Sequence, residues 1–236
     1  IAVGAQRIAD ATPFLVGELG GVSGYGGPTA AYRFWHWDYP GPGRIEVLEP
    51  NGPDGGFLHR FLDRQGPGIH HVTFMVPSLR TTCDRAESLD YSILDYDDRN
   101  PRWQEAFLHP KQAMGIVVQM VASEPGADEG EGERGVRAAP PQPADPPPPV
   151  TVVGLRMRSA DPERAVRQWS ELLKGELDEG EGELRFTWPG SGMRIAVTIE
   201  PDARDASEAI ELRAERALRL PEGPHPLLGA VFRQLP

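Results

Sequence analysis

The 236-residue chain predicts an α+β fold in which paired βαβββ modules build a cupped mixed sheet with helices on its outer face, followed by a degenerate additional module. Three observations carry this. Short runs rich in β-branched and aromatic residues are bounded by Gly/Pro turns, as strands are. A strand, helix, hairpin order occurs twice, offset by 73 residues, so that Val3 falls on Val76, Phe34 on Phe107, His36 on His109 and Glu46 on Gln119. A third passage beyond a proline-rich break starts again with strand and helix.

Residues 1–3 (IAV) are a short apolar strand and 6–20 a helix. Residues 31–38 (AYRFWHWD), the turn 39–43 (YPGPG) and 44–50 (RIEVLEP) form a hairpin. Pairing Asp38 with Arg44 joins opposite charges across the strands and sets His36 opposite Glu46. Trp35 and Trp37 then share the Ile45/Val47 side and pack in the core, with stacking on a ligand as the alternative, whereas a one-residue slip would turn His36 to that side. Residues 56–65 are a short amphipathic helix with His59 on its surface, 69–77 (IHHVTFMVP) a strand, and 79–89 a helix holding Cys83 as a small, partly buried residue. Residues 105–121 are a second hairpin, with His109 making a structural hydrogen bond at its turn.

Residues 122–150 hold no aromatic residue and end in four prolines. They bury too little apolar surface to offset their ordering entropy, which predicts a disordered acidic stretch and then a polyproline spacer. The break separates 1–121 from 151–236. In the latter, Asp161 is an N-cap with Pro162 at the first helical position. Residues 193–201 (MRIAVTIEP) echo RIEVLEP, with Ala196 where Glu46 stands, and 209–236 are too few for a fourth module. A structural or dimerisation role is expected, because a sheet with a free edge seeks a partner.

The net charge of −11, with no Lys/Arg cluster, argues against nucleic acid and anionic membranes as partners. No apolar run is long enough to span a bilayer, and no signal peptide is evident. The single cysteine excludes an internal disulfide and fits a reducing cytoplasm. Five of the six histidines lie at or before His109, so metal or acid–base chemistry is expected in the first part.

Strand alternation then selects side chains. His70, Val72, Phe74 and Val76 share one side, His71, Thr73 and Met75 the other. The apolar side suits helix packing, so His71 faces the open side and His70 the helices. The same reasoning puts Glu46 opposite Ile45 and Val47, and Gln119 opposite Val118 and Met120. Glu46, His71, Gln119 and, given the hairpin register, His36 would converge on one concave surface. Such a set suits a divalent Zn, Ni, Co, Mn or Fe ion, or a hydrogen-bonded polar cluster without one.

The passages "IEVLEPNGPDGGFLHRFL", "GPGIHHVTFMVPSL", "AFLHPK" and "GIVVQM" resemble the vicinal oxygen chelate superfamily, which includes glyoxalase I, bleomycin-resistance proteins, extradiol dioxygenases and, nearest in pattern, methylmalonyl-CoA epimerase. The resemblance covers nearly all of 1–121. It implies a cup holding one divalent ion, with His71, Glu46 and Gln119 as ligands. It also implies a first-module histidine three residues before Ile1, His36 being a substitute or supporting group. In the third module the histidine position falls near Val153, so chelation is lost there. Glu46 and Gln119 stand exchanged relative to the epimerase pattern, and an amide takes no proton at neutral pH. The implied function is a metal-dependent enzyme of isomerase or lyase type, moving a proton through a metal-stabilised enolate of a small oxo or thioester substrate, with Glu46 catalytic. A metal-free binding or resistance protein and a non-haem iron dioxygenase are the alternatives. The implied partners are a small molecule and a second copy of the chain.

Overall fold

The computed structural model describes residues 1–52, 56–123 and 139–236. The first unit contains β1 (Ala2–Gly4), a 3-10 turn (Ile8–Ala11) continuing into α1 (Thr12–Leu15), β2 (Val22–Pro28), β3 (Tyr32–Asp38), β4 (Arg44–Pro50), α2 (Phe57–Gln65), β5 (Gly68–Met75), α3 (Leu79–Ser88), β6 (Ile93–Asp97), β7 (Gln104–Leu108) and β8 (Val117–Ala122). Its eight strands lie in the order β2-β3-β4-β1-β5-β8-β7-β6. That order is two copies of one module joined back to back. β1 runs parallel to β4 and β5 parallel to β8, while β1 and β5 pair antiparallel at the centre.

The registers correct the uniform 73-residue repeat. Ala2 pairs with Glu46 as Thr73 pairs with Gln119, so β1 and β5 correspond with a shift of 71. His36 faces Glu46 as Phe107 faces Gln119, so the counterpart of His36 is Phe107 and not His109. The chain from β7 to β8 is two residues longer than that from β3 to β4, and this restores 73 at the last strand. The helix expected over 6–20 is also shorter. Pro13 suits its first turn, but a side chain at Gly17 would strike the Pro13 carbonyl, and helical geometry stops at Leu15.

The second unit repeats the plan. It comprises β9 (Thr151–Ser159), α4 (Pro162–Val166) running into a π-helical turn (Arg167–Leu172), β10 (Glu176–Gly180), β11 (Glu183–Thr187), β12 (Arg194–Ile199), β13 (Ala206–Arg213) and β14 (Phe232–Gln234), with sheet order β10-β11-β12-β9-β13-β14. Asp161 caps α4 by accepting from the Arg164 N–H at 3.0 Å. β13 pairs antiparallel with β9, and β14 runs parallel to β13, as β5 and β8 do in the first unit. β13 and β14 are thus the first and last strands of a fourth module that lacks its middle.

The two units share one core. Trp35, Trp37, Val47, Val72 and Met120 of the first sheet join Leu155, Met157, Val197 and Ile210 of the second, with residues of α1, α3 and α4 in the same cluster. Phe74 stacks near Trp169 and Trp188, with ring centroids 5.8 and 4.9 Å away. Arg164 donates to the Lys111 and Gln112 carbonyls, and Glu18 accepts from Arg216 and Arg219. Of the expected linker, 124–138 lie outside the described residues. Val150 at its end is buried and donates its N–H to the Leu19 carbonyl at 2.9 Å, which ties this end to the first unit.

α2 does not join the helices in the core. Leu58 and Leu62 pack on Ala2, Phe34 and Leu48, the residues next to Glu46 and His36 on the same face. Burying those two leucines contributes about 1.5–3 kcal/mol each. Gly4 permits the contact, since a Cβ there would lie 2.8 Å from the Phe61 ring. Gly66, at φ +72°, ends the helix with its N–H on the Leu62 carbonyl.

Candidate functional site

The hairpin register is the one the charge pairing predicted. Asp38 faces Arg44, His36 faces Glu46, and Arg44 Nε donates to Asp38 at 2.6 Å. Glu46 therefore lies between two imidazoles. Its Oε1 is 3.1 Å from His36 Nε2 and its Oε2 is 3.4 Å from His71 Nε2. His36 and His71 are buried, and Glu46 keeps 18% of its side chain exposed. Burial alone would raise the Glu46 pKa. Hydrogen bonding and charge from His36 and His71 outweigh it and hold the carboxyl below the usual range, so it is an anion at neutral pH. Tyr25 and Phe34 wall His36, with centroids 4.5 and 5.3 Å away.

Gln119 belongs to the same face but to a different set of contacts. Its Oε1 accepts from Thr73 Oγ1 at 2.7 Å and its Nε2 donates to Glu105 Oε2 at 2.8 Å. Trp103 Nε1 donates to the same Glu105 oxygen at 2.8 Å. Because a carboxylate only accepts, these bonds fix which end of the amide is oxygen. Sequence reading missed Glu105 and Trp103. The signal was there, since Glu105 stands two residues before Phe107 and so shares its face.

The expected placement of His70 is corrected. Ala2 pairs with His71 but Val3 pairs with Ile69, which leaves His70 as the extra residue of a β-bulge. Alternation is reset there, and His70 does not follow Val72 and Phe74 toward the core. It lies against Phe57 and Phe61 of α2, with centroids 5.5 and 4.9 Å away, and its Nδ1 is 2.9 Å from Nδ1 of His71. Burial pushes the His70 imidazole down to about 3, so the ring is neutral. The same registers move the first-module counterpart of His71 from three residues before Ile1 to the position immediately before it.

The donor set can be tested against a metal ion. Ligand atoms about 2.1 Å from one centre lie roughly 3.0–3.4 Å from each other in octahedral or tetrahedral geometry. The two Glu46–imidazole separations fall in that range. His36 and His71 both turn Nε2 to the Glu46 carboxylate, and two imidazoles beside one carboxylate are a metal-ligand environment. Among the described residues, however, no three His, Cys, Asp or Glu side chains close around a common point. The groups are of suitable kind and spacing without forming a finished cage. Among the described residues no helix is long and apolar enough to cross a membrane.

The second unit has lost this chemistry. Ala196 pairs with Arg156 as Glu46 pairs with Ala2, so the carboxylate position is an alanine. The corresponding face carries an ion network instead. Glu211, fully buried, accepts from Arg156 Nε at 2.8 Å and from Arg194 Nε and Nη2 at 3.0 and 2.9 Å. Arg156 also pairs with Glu183 at 2.6 Å.

No family model matches the chain. The uncharacterized protein YqjC of Bacillus subtilis (strain 168) is 29% identical over 91 residues, which cover 36% of this chain and 61% of that protein. A mutant 4-hydroxymandelate synthase from Streptomyces coelicolor superposes over 91% of this chain and 70% of its own, with a TM-score of 0.62 at 14% identity. A methylmalonyl-CoA epimerase from Mycobacterium tuberculosis matches 52% of this chain and 85% of its own, with a TM-score of 0.48 at 22% identity. The 4-hydroxymandelate synthase has the vicinal oxygen chelate fold of paired βαβββ modules, and this chain shares that fold.

Proposed function

We propose that a chain with the vicinal oxygen chelate fold uses the open face of its first unit as a divalent-metal site for proton transfer on a small oxo or thioester substrate. The observation that carries this is the His36–Glu46–His71 set, with the two imidazole Nε2 atoms 3.1 and 3.4 Å from the one carboxylate. His36, Glu46 and His71 are the proposed ligands, and Gln119, whose amide oxygen accepts from Thr73, stands on the same face. A bound divalent ion supplies positive charge next to substrate oxygens and so makes the adjacent C–H more acidic.

The protein's own groups do the rest. Glu46, anionic and shielded from bulk water, is the proposed proton acceptor on one side of the cup. Gln119 cannot take a proton. Glu105, held by Gln119 and Trp103, provides a second carboxylate in the other half of the sheet. Phe34, Tyr25 and α2 line the site with apolar surface and limit water.

The same donors favour a second reading. Two imidazoles and one carboxylate are the ligand set of non-haem iron(II) oxygenases. One experiment addresses both. The full chain is prepared without chelators, and its metal content is measured together with solvent-deuterium exchange into 2-oxo acids and acyl thioesters, and with oxygen uptake. The first reading expects about one divalent ion per chain and exchange that falls about 10²–10⁴-fold in Glu46→Gln. Oxygen uptake with iron and no exchange selects the second. Exchange unchanged in Glu46→Gln removes Glu46 as the base, and a chain that binds no metal leaves only a metal-free binding cup.

A further inference from the structure

The bulge that places His70 beside His71 has a chemical use. We propose that His70 is a positioning residue, whose Nδ1 accepts the Nδ1–H of His71 when a cation is bound and so keeps the His71 Nε2 free of hydrogen to face that cation beside Glu46. The inference rests on the metal reading of this face. Two ring nitrogens 2.9 Å apart share one proton, so one ring donates and the other accepts. A histidine that binds a cation through Nε2 has no hydrogen there and carries it on Nδ1. That Nδ1–H needs an acceptor, because His71 is buried, and His70 Nδ1 is the group in place. Metal-binding histidines generally donate their second ring N–H to such a partner, which fixes tautomer and ring orientation.

The partner is itself held. The His70 ring is wedged against Phe57 and Phe61, and α2 is pinned by Leu58 and Leu62 on Ala2, Phe34 and Leu48. Among the described residues, the rings against His70 are those of Phe57, Phe61 and His71. Thus α2, which contributes no ligand, fixes the aim of one. The doubled histidine has one member for the ion and one for its neighbour, and both occupy the same side only because the strand bulges between Ile69 and His71.

Two substitutions at His70 separate positioning from packing. His70→Asn keeps an acceptor oxygen near the Nδ1 position but loses the ring, whereas His70→Leu keeps apolar contact with α2 and offers no acceptor. Zn²⁺ affinity is measured by competition with a chromophoric chelator for the full-length wild type and both variants. Nitrogen-15 imidazole shifts of the Zn²⁺-loaded wild type report the tautomer directly. The expected result is a loss of about 10–100-fold in affinity for His70→Leu, affinity within about threefold of wild type for His70→Asn, and a protonated Nδ1 on His71. If wild type binds Zn²⁺ and His70→Leu binds it equally well, or if His71 ligates through Nδ1, the role of His70 is overturned while the metal reading stands. If wild type binds no Zn²⁺, both fall together.

Discussion

The ion network of the second unit gives a quantitative test of what holds its sheet where the first unit has Glu46. Glu211→Gln preserves shape, so no cavity contribution arises. It removes the charge that accepts from Arg156 Nε and from Arg194 Nε and Nη2 at 2.8–3.0 Å, and it points an amide N–H at a guanidinium. Breaking a buried ion pair on one side costs about 3–5 kcal/mol, because the other charge stays desolvated. The two arginine side chains keep 14% and 21% exposure, and Arg156 retains Glu183, so the low end applies, about 3 kcal/mol. For a chain of this size that lowers Tm by about 6–12 °C. Scanning calorimetry measures it, with urea midpoints at constant m-value as a check. The double variant Arg194→Met/Glu211→Gln should lose less than the sum of the two single changes, since the groups touch. A Tm drop under roughly 2 °C would mean that the cluster behaves like solvated surface pairs, worth about 0–1 kcal/mol, and would refute the reasoning.

Other outcomes follow from the same contacts. Glu18 accepts from the Arg219 N–H and Nε and from Arg216. Burial alone would raise its pKa above 4.5, but these bonds prevail and lower it. Because the folded pKa lies below the unfolded one, this stabilisation is complete above about pH 4.5 and is lost as pH falls through the lowered value. The stability gap between wild type and Glu18→Gln should be constant from pH 7 to 5 and shrink below that, and a pH-independent gap contradicts it. Burial, aided by Glu87 and Asp84, pushes the Cys83 thiol from 9.0 to about 11. The thiolate fraction at pH 8 is then about a hundredfold lower than for an unperturbed thiol, so disulfide reagents should modify Cys83 only as urea unfolds the chain. A chain ended at residue 123 exposes Phe74 and the apolar residues packed on Trp169 and Trp188. It should self-associate on size exclusion, and a monomer as stable as the full chain would argue against the shared core.

Much of the site was legible because strand alternation and charge pairing are local. Asp38 opposite Arg44 brought His36 to Glu46, and the apolar partners of Glu46 and Gln119 turned both to the open face. Trp35 and Trp37 went to the core for the same reason. The strands β2 and β6 were not located from sequence, because β2 is glycine-rich and β6 carries exposed acidic residues, and both owe their shape to the neighbours they pair with.

The sequence by itself determined the module order, the hairpin register, and the faces of His71, Glu46 and Gln119, because each follows from a period of two and from adjacent turns. Only the tertiary structure decided where His70 goes, which carboxylate meets Gln119, and that the helix of residues 57–65 lies on the open face. Each of these depends on a contact between segments distant in the chain, or on a bulge that breaks the period. The pair at 70 and 71 shows the difference. Alternation sends two adjacent residues to opposite faces, and pairing Ala2 with His71 but Val3 with Ile69 puts both on one.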